Sequence, residues 1–95
     1  MISSDKKYYI RSEKVTEKKV GTDIALYVED HRSIHVLNPT ARFIWECLKD
    51  PMSFDEILFM MSEVFDVETA TLRNDLEETL VLFEEKNLVE TRGGR

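Results

Sequence analysis

The chain is poor in cysteine, glycine and proline, and it has no long apolar run. Its 95 residues include one cysteine, three glycines and two prolines. A lone cysteine, Cys47, forms no internal disulfide, which favours a reducing, cytoplasmic setting. No apolar stretch approaches the roughly 20 residues of a membrane span, and the polar N-terminus lacks the apolar segment of a signal peptide. These features predict a single domain over residues 1–95 with no membrane partner.

Motifs for catalysis and for metal binding are also missing from the sequence. The glycines lie in a turn at Gly21 and in the tail at positions 93–94, so none forms a phosphate-binding loop. His31, His35 and Cys47 match no zinc-ligand spacing. The glutamates near the C-terminus form runs typical of a solvated helix face, without an acid–base pair. We therefore expect no enzymatic activity, no cofactor and no metal site.

Negative charge is concentrated in the second half of the chain. Residues 1–40 carry a net charge of +1 and residues 41–95 a net charge of −7, which together give −6. An acidic surface repels polyanions and is compatible with a neutral or basic peptide. We therefore expect no nucleic-acid partner, although three helices with a small sheet would also suit a winged-helix transcriptional regulator.

Alternation of apolar and polar residues predicts three strands. The first runs from Val15 to Val20, the second covers the stretch around Ile24, Leu26 and Val28, and the third is residues 33–37. Residues 29–32 form the hairpin turn between the second and third strands. Residues 1–12 are either a flexible terminus or an additional strand, and residues 91–95 are a tail.

Capping residues predict three helices after the strands. Asn38 caps a first helix over residues 39–48, and the Ser-Phe-Asp-Glu run that begins at Ser53 is a capping box for a second helix. A third helix covers residues 68–86 and ends at Asn87 in a left-handed conformation. Three strands followed by three helices predict an α+β fold, in which the helices pack on one face of a three-stranded antiparallel sheet.

The run VLNPTARFIWECL at residues 36–48 resembles the PqqD-like family of small peptide-binding proteins, also called RiPP recognition elements. The similarity continues with FDEI at residues 54–57, FDV at residues 65–67 and NLV at residues 87–89. It covers roughly residues 23 to 90. This chain departs from the family pattern at Thr79, at the apolar pair Val81 and Leu82, and at Asn87, where glycine is usual.

The resemblance implies a winged helix-turn-helix-like fold without catalytic activity. Such proteins bind the leader segment of a ribosomally made precursor peptide, which adds as a strand to the third strand and fills a groove beside the third helix. They present the peptide to a modifying enzyme, such as a radical-SAM protein or a leader peptidase. On this chain the implied peptide-binding residues are Ser33, Ile34, His35, Val36, Leu37, Leu72, Asp75, Leu76 and Thr79.

The sequence leaves two alternatives open. One is whether the protein instead acts as an adaptor that binds an enzyme through Val81 and Leu82, without a peptide site. The other is whether the open edge of the third strand pairs with a second copy to form a homodimer.

Overall fold

Two small antiparallel sheets and three helices make up the fold. The structure is a computed structural model that describes residues 7–93. In chain order the elements are β1 (Lys7–Arg11), β2 (Val15–Val20), β3 (Asp23–Val28), β4 (Ser33–Leu37), α1 (Pro39–Cys47), β5 (Met52–Ser53), α2 (Phe54–Val64), α3 (Thr69–Glu85) and β6 (Val89–Gly93).

The first sheet has the strand order β2-β3-β4, with β3 in the centre. Its inner face carries Ile24, Leu26 and Val28, which are all buried, whereas the residues between them are more exposed. Leu26 lies opposite Glu17 on β2 and His35 on β4. The three predicted strands, their hairpin and the α+β class are confirmed. Among the described residues β4 pairs only with β3, so its other edge is free.

Local capping interactions fix the starts of two helices. The Asn38 side-chain oxygen accepts a hydrogen bond of 2.8 Å from the Ala41 amide, which places α1 directly after β4. Ser53 and Glu56 form the predicted capping box at the start of α2. Asn87, just after α3, has a φ of 61°. All three sequence predictions are confirmed.

A second sheet, in the order β5-β1-β6, joins the two ends of the described chain. Lys7 lies opposite Gly93 and Arg11 opposite Val89. Residues 7–11 are therefore the additional strand, whereas residues 1–6 lie outside the described part. The sequence predicts a tail from residue 91, but residues 91–93 pair with β1; residues 94–95 again lie outside the described part.

The core lies between the inner face of β2-β3-β4 and the three helices. Trp45 of α1 and Phe83 of α3 are 2% and 1% exposed, and their rings meet edge to face with centroids 6.1 Å apart. The stripe of α3 at Leu72, Leu76 and Leu80 is buried as well. Each such side chain contributes about 1.5–3 kcal/mol on burial, so α3 is held in place mainly by packing.

Candidate functional site

The outer edge of β4 is a free strand edge on the described surface, as is the outer edge of β2. A strand edge presents unpaired N–H and C=O groups that another strand can use. Side chains of β4 alternate between the two faces of the sheet. Leu37 is buried and His35 is partly buried, whereas Ile34 and Val36 are 66% and 67% exposed.

A groove of about 320 Å³ lies between β4 and the C-terminal half of α3. Its floor is apolar, because Leu37, Ala41, Phe83 and Leu88 belong to the buried core. Leu82 borders the groove with 49% of its surface exposed. The remaining lining residues are Ile34, His35, Val36, Asn38 and Lys86.

The groove carries one fixed positive charge. Lys86 lines it at the end of α3, and no acidic residue does so. The pKa of His35 lies below its usual value, because burial disfavours the imidazolium and Lys86 repels it. The His35 Nε2 atom lies 3.0 Å from the Ser33 hydroxyl oxygen, so the two polar groups satisfy each other. The groove therefore combines an apolar floor with polar lining residues and one cationic side chain, Lys86.

The structure brings most of the sequence-predicted β4 residues together at this groove. Residues 34–37 line it, and Ser33 contacts it through His35. The four α3 residues predicted to form its wall lie nearer the start of the helix and do not line it. Leu72 and Leu76 are buried in the core, while Asp75 and Thr79 are partly buried. Their role in peptide binding stays a prediction.

Three residues at the C-terminal end of α3 line the groove but were not among the predicted site residues: Leu82, Phe83 and, one position beyond the helix, Lys86. Leu82 could have been identified from the sequence as a binding residue, because it is an apolar residue outside the core stripe of its helix. Lys86 could not, since the presence of a lysine at the end of a helix is commonly explained by its favourable interaction with the helix dipole alone. The position of α3 relative to β4 decides which helical turn meets the strand.

A larger but shallower depression of about 630 Å³ lies beside α2. Pro51, Met52, Phe59 and Met60 line it together with two acidic residues of the first turn of α2. Most of its lining belongs to α2, whose backbone bonds are already made, and the edge strand β5 beside it has only two residues to offer an added strand. We therefore assign the candidate site to the β4 groove, where backbone and side chains are both available.

Other classes of site receive no support from the described residues. Within residues 7–93 no three His, Cys, Asp or Glu side chains come together in a way that could hold a metal ion. Over the same residues, no helix has both the length and the apolar character needed to cross a membrane.

The model of the family described as "Coenzyme PQQ synthesis protein D (PqqD)" matches residues 23–89, from β3 to the first residue of β6. The chain belongs to the PqqD family. The match confirms the resemblance that the sequence suggests. It contains every element of the groove, namely β4, the start of α1 and the end of α3. No curated protein sequence gives a significant match to this PqqD-family chain.

Two solved structures share the fold of this PqqD-family protein. One is described as "TbiB1 in Complex with the TbiA(beta) Leader Peptide"; it has a TM-score of 0.78 at 21% identity, with 85% of this chain and 94% of that chain covered. The other is "Lasso peptide synthetase B1 complexed with the leader peptide", with a TM-score of 0.76 at 16% identity and coverage of 86% and 96%. Both likenesses establish the fold and confirm its class.

Proposed function

We propose that this protein binds the leader segment of a ribosomally made precursor peptide by strand addition to β4 and presents it to a modifying enzyme. The observation that carries the proposal is the free edge of β4 beside a groove with an apolar floor, inside the segment that matches PqqD. The two solved structures of the same fold are each described as a complex with a leader peptide, which supports it.

Backbone hydrogen bonds supply the affinity in this mode of binding. A peptide that adds to an exposed sheet edge extends the ladder, while pockets on either side of the strand select its side chains. The capping of α1 by Asn38 immediately after Leu37 fixes the edge relative to α1. The site therefore needs little reorganisation when the peptide binds.

Side-chain selectivity comes from the groove. Leu82 and the buried floor favour an apolar residue of the leader, and Lys86 favours an acidic residue or the negative end of a dipole. Asp75 and Thr79 extend the proposed site along α3 towards its start. Leu72 and Leu76, being buried, would act by holding α3 against the sheet.

The proposed role is that of a non-catalytic domain in the cytoplasm. It uses no cofactor, and the partner enzyme would be of the radical-SAM or leader-peptidase class. Exposed glutamates on α3 at positions 77, 78 and 85 would repel phosphates, which argues against DNA binding.

An NMR titration tests the proposal. The ¹⁵N-labelled protein is titrated with the leader segment of the precursor peptide encoded beside its gene. We expect the largest shifts at residues 33–37 and at Leu82 and Lys86. Shifts confined to the α2 surface around Phe59, or no shifts at all, would contradict strand addition at β4.

A pair of proline variants separates binding from folding. Successive N–H groups along a strand point to opposite sides, so one of the two amides at His35 and Val36 faces β3 and the other faces the free edge. His35→Pro and Val36→Pro should therefore behave differently. One variant should lose the far-UV circular dichroism of the fold, and the other should stay folded but lose the peptide. Two folded variants that both bind normally would rule out strand addition.

A further inference from the structure

The outer face of the β2-β3-β4 sheet is apolar along the same edge that faces the groove. Ile34 and Val36 stand on this face, opposite Tyr27 and Ala25 of β3. An antiparallel sheet with one solvated face normally places polar residues there. The four residues are uncharged, and the two on β4 are the more exposed, at 66% and 67%.

We propose that the added peptide strand is contacted on both of its faces, so that its outward side chains pack on Ile34 and Val36. This inference rests on the proposed function and specifies the substrate class. The ligand segment would be apolar at consecutive positions, with β-branched or aromatic residues facing outward as well as an apolar residue in the groove.

The spacing of strands within a sheet supports a contact between the added strand and the outer side chains of β4. A strand added to β4 would lie about 4.8 Å away, and its outward side chains would have their Cβ atoms about 4.5–5.5 Å from those of Ile34 or Val36. Tyr27 has cross-strand neighbours on both sides, Thr16 and Ile34, and is only 37% exposed. Ile34 has Tyr27 on one side alone. An added strand would supply a second cross-strand neighbour on the free side of Ile34.

Two observations identify what would pack on the outer face of β4: the face is continuous with the groove, and its edge carries no charge. The groove itself extends to Ile34 and Val36, so its lining and the outer apolar face meet along β4. The two outward residues of β4, Ile34 and Val36, are uncharged, and the outward charges of the neighbouring strands, Asp23 on β3 and Lys18 on β2, lie on the side away from the free edge. An uncharged apolar side chain is thus the complement of this face at the edge.

Threonine substitutions test the contact with little effect on the strand. Ile34→Thr and Val36→Thr keep a β-branched side chain and remove apolar surface. The matched control is Val20→Thr, because Val20 is 58% exposed and lies on β2, the opposite edge strand. Binding of the fluorescein-labelled leader segment encoded beside the gene is measured by anisotropy, after circular dichroism has shown each variant to be folded.

We expect each β4 variant to bind about two- to five-fold more weakly than the unaltered protein, and the double variant on the order of ten-fold more weakly. The control should bind normally. If the unaltered protein binds the leader and both β4 variants match the control, the outer-face contact is refuted while the proposed function stands. If the unaltered protein does not bind the leader, both proposals fall.

Two further measurements sharpen the outcome. In the first, leader positions are replaced one at a time by Asp, and alternate positions should fall into two sets of peptides that bind more weakly. In double-mutant cycles, one set should show coupling to Leu82→Ala and the other to Ile34→Thr. A single set coupled only to Leu82 would refute the inference. In the second, light scattering tests whether a second copy of the protein occupies the outer face instead. A dimer that dissociates in the double variant, with leader affinity unchanged, would assign the outer face to a second copy.

Discussion

The indole N–H of Trp45 donates a hydrogen bond of 2.9 Å to the carboxylate of Glu17, although the two residues are 28 positions apart. The same carboxylate oxygen lies 3.4 Å from Arg11 Nη1. Arg11 also donates a hydrogen bond of 2.6 Å to the Trp45 carbonyl oxygen, and its guanidinium lies 4.3 Å from the Trp45 ring centroid. These three residues join the two sheets to the end of α1.

Removal of the Glu17 carboxylate should destabilise the fold. Glu17→Ala leaves the N–H of Trp45 without its partner, and Trp45 is 2% exposed. An unsatisfied buried donor costs about 1–3 kcal/mol. Urea unfolding followed by circular dichroism should show this loss, whereas Glu13→Ala, an exposed turn residue, should change stability by less than about 0.5 kcal/mol. Equal midpoints for the two variants would mean that the network contributes nothing.

The capping box of α2 should contribute measurably to stability. The Ser53 hydroxyl oxygen accepts a hydrogen bond of 3.2 Å from the Glu56 amide, and Ser53 is 3% exposed. Ser53→Ala should lower the free energy of unfolding by about 1–2 kcal/mol. The control is Ser62→Ala, since Ser62 is exposed within the same helix. A larger loss for the control than for Ser53→Ala would contradict the capping argument.

The left-handed conformation of Asn87 should favour glycine over alanine. Asn87 lies two positions after the last residue of α3 and has a φ of 61°. Residues with a Cβ rarely adopt this conformation, and asparagine is one of the few exceptions. Asn87→Gly should therefore be more stable than Asn87→Ala by about 1 kcal/mol in urea unfolding. Both variants lose the contact between the Asn87 amide nitrogen and His31 Nε2, so that loss cancels in the comparison. An alanine variant as stable as the glycine variant would refute the backbone argument.

Acidification should destabilise the protein through His35. Burial, with a smaller effect of Lys86, lowers its pKa in the folded state, so the unfolded chain binds more protons as the pH falls. The contribution of His35 is complete above the unfolded pKa of about 6.5 and is lost as the pH falls through that value towards the lower folded pKa. Between pH 7.5 and pH 5.5, the unaltered protein should lose more stability than His35→Gln. An identical pH dependence would show that His35 is not the titrating group.

The helices and the first sheet could be predicted because their signals are local. The alternation of Ile24, Leu26 and Val28 indicates one buried strand face, and the side chains of Asn38 and Ser53 mark helix starts within three residues of their partners. Such patterns need no knowledge of the rest of the chain.

The second sheet could not be predicted in the same way. It pairs residues 7–11 with residues 89–93, which lie at opposite ends of the described chain. Within β6, only Val89 is buried, so the strand has no apolar alternation of its own. Its conformation is set by pairing with β1, a long-range interaction that no short window of sequence contains.

Only part of the candidate site could be predicted, because only part of it depends on local sequence patterns. The strand residues 33–37 follow from local alternation, and the α3 stripe at Leu72 and Leu76 follows from helical spacing. Which turn of α3 meets β4 depends on how the helix packs across the core, and the structure places Leu82 and Lys86 there. Sequence periodicity identifies the buried face of a helix but does not give its position along a neighbouring strand.

The pairing of Lys7 with Gly93 has a practical consequence for engineering. The first and last described residues are cross-strand neighbours, so a short glycine-rich linker from residue 93 to residue 7 would close the backbone of residues 7–93 into a ring. A new opening could then be cut in the exposed hairpin at positions 30–31. For the same reason, the whole unit could be inserted into a surface loop of a host enzyme, entering and leaving through one narrow gap.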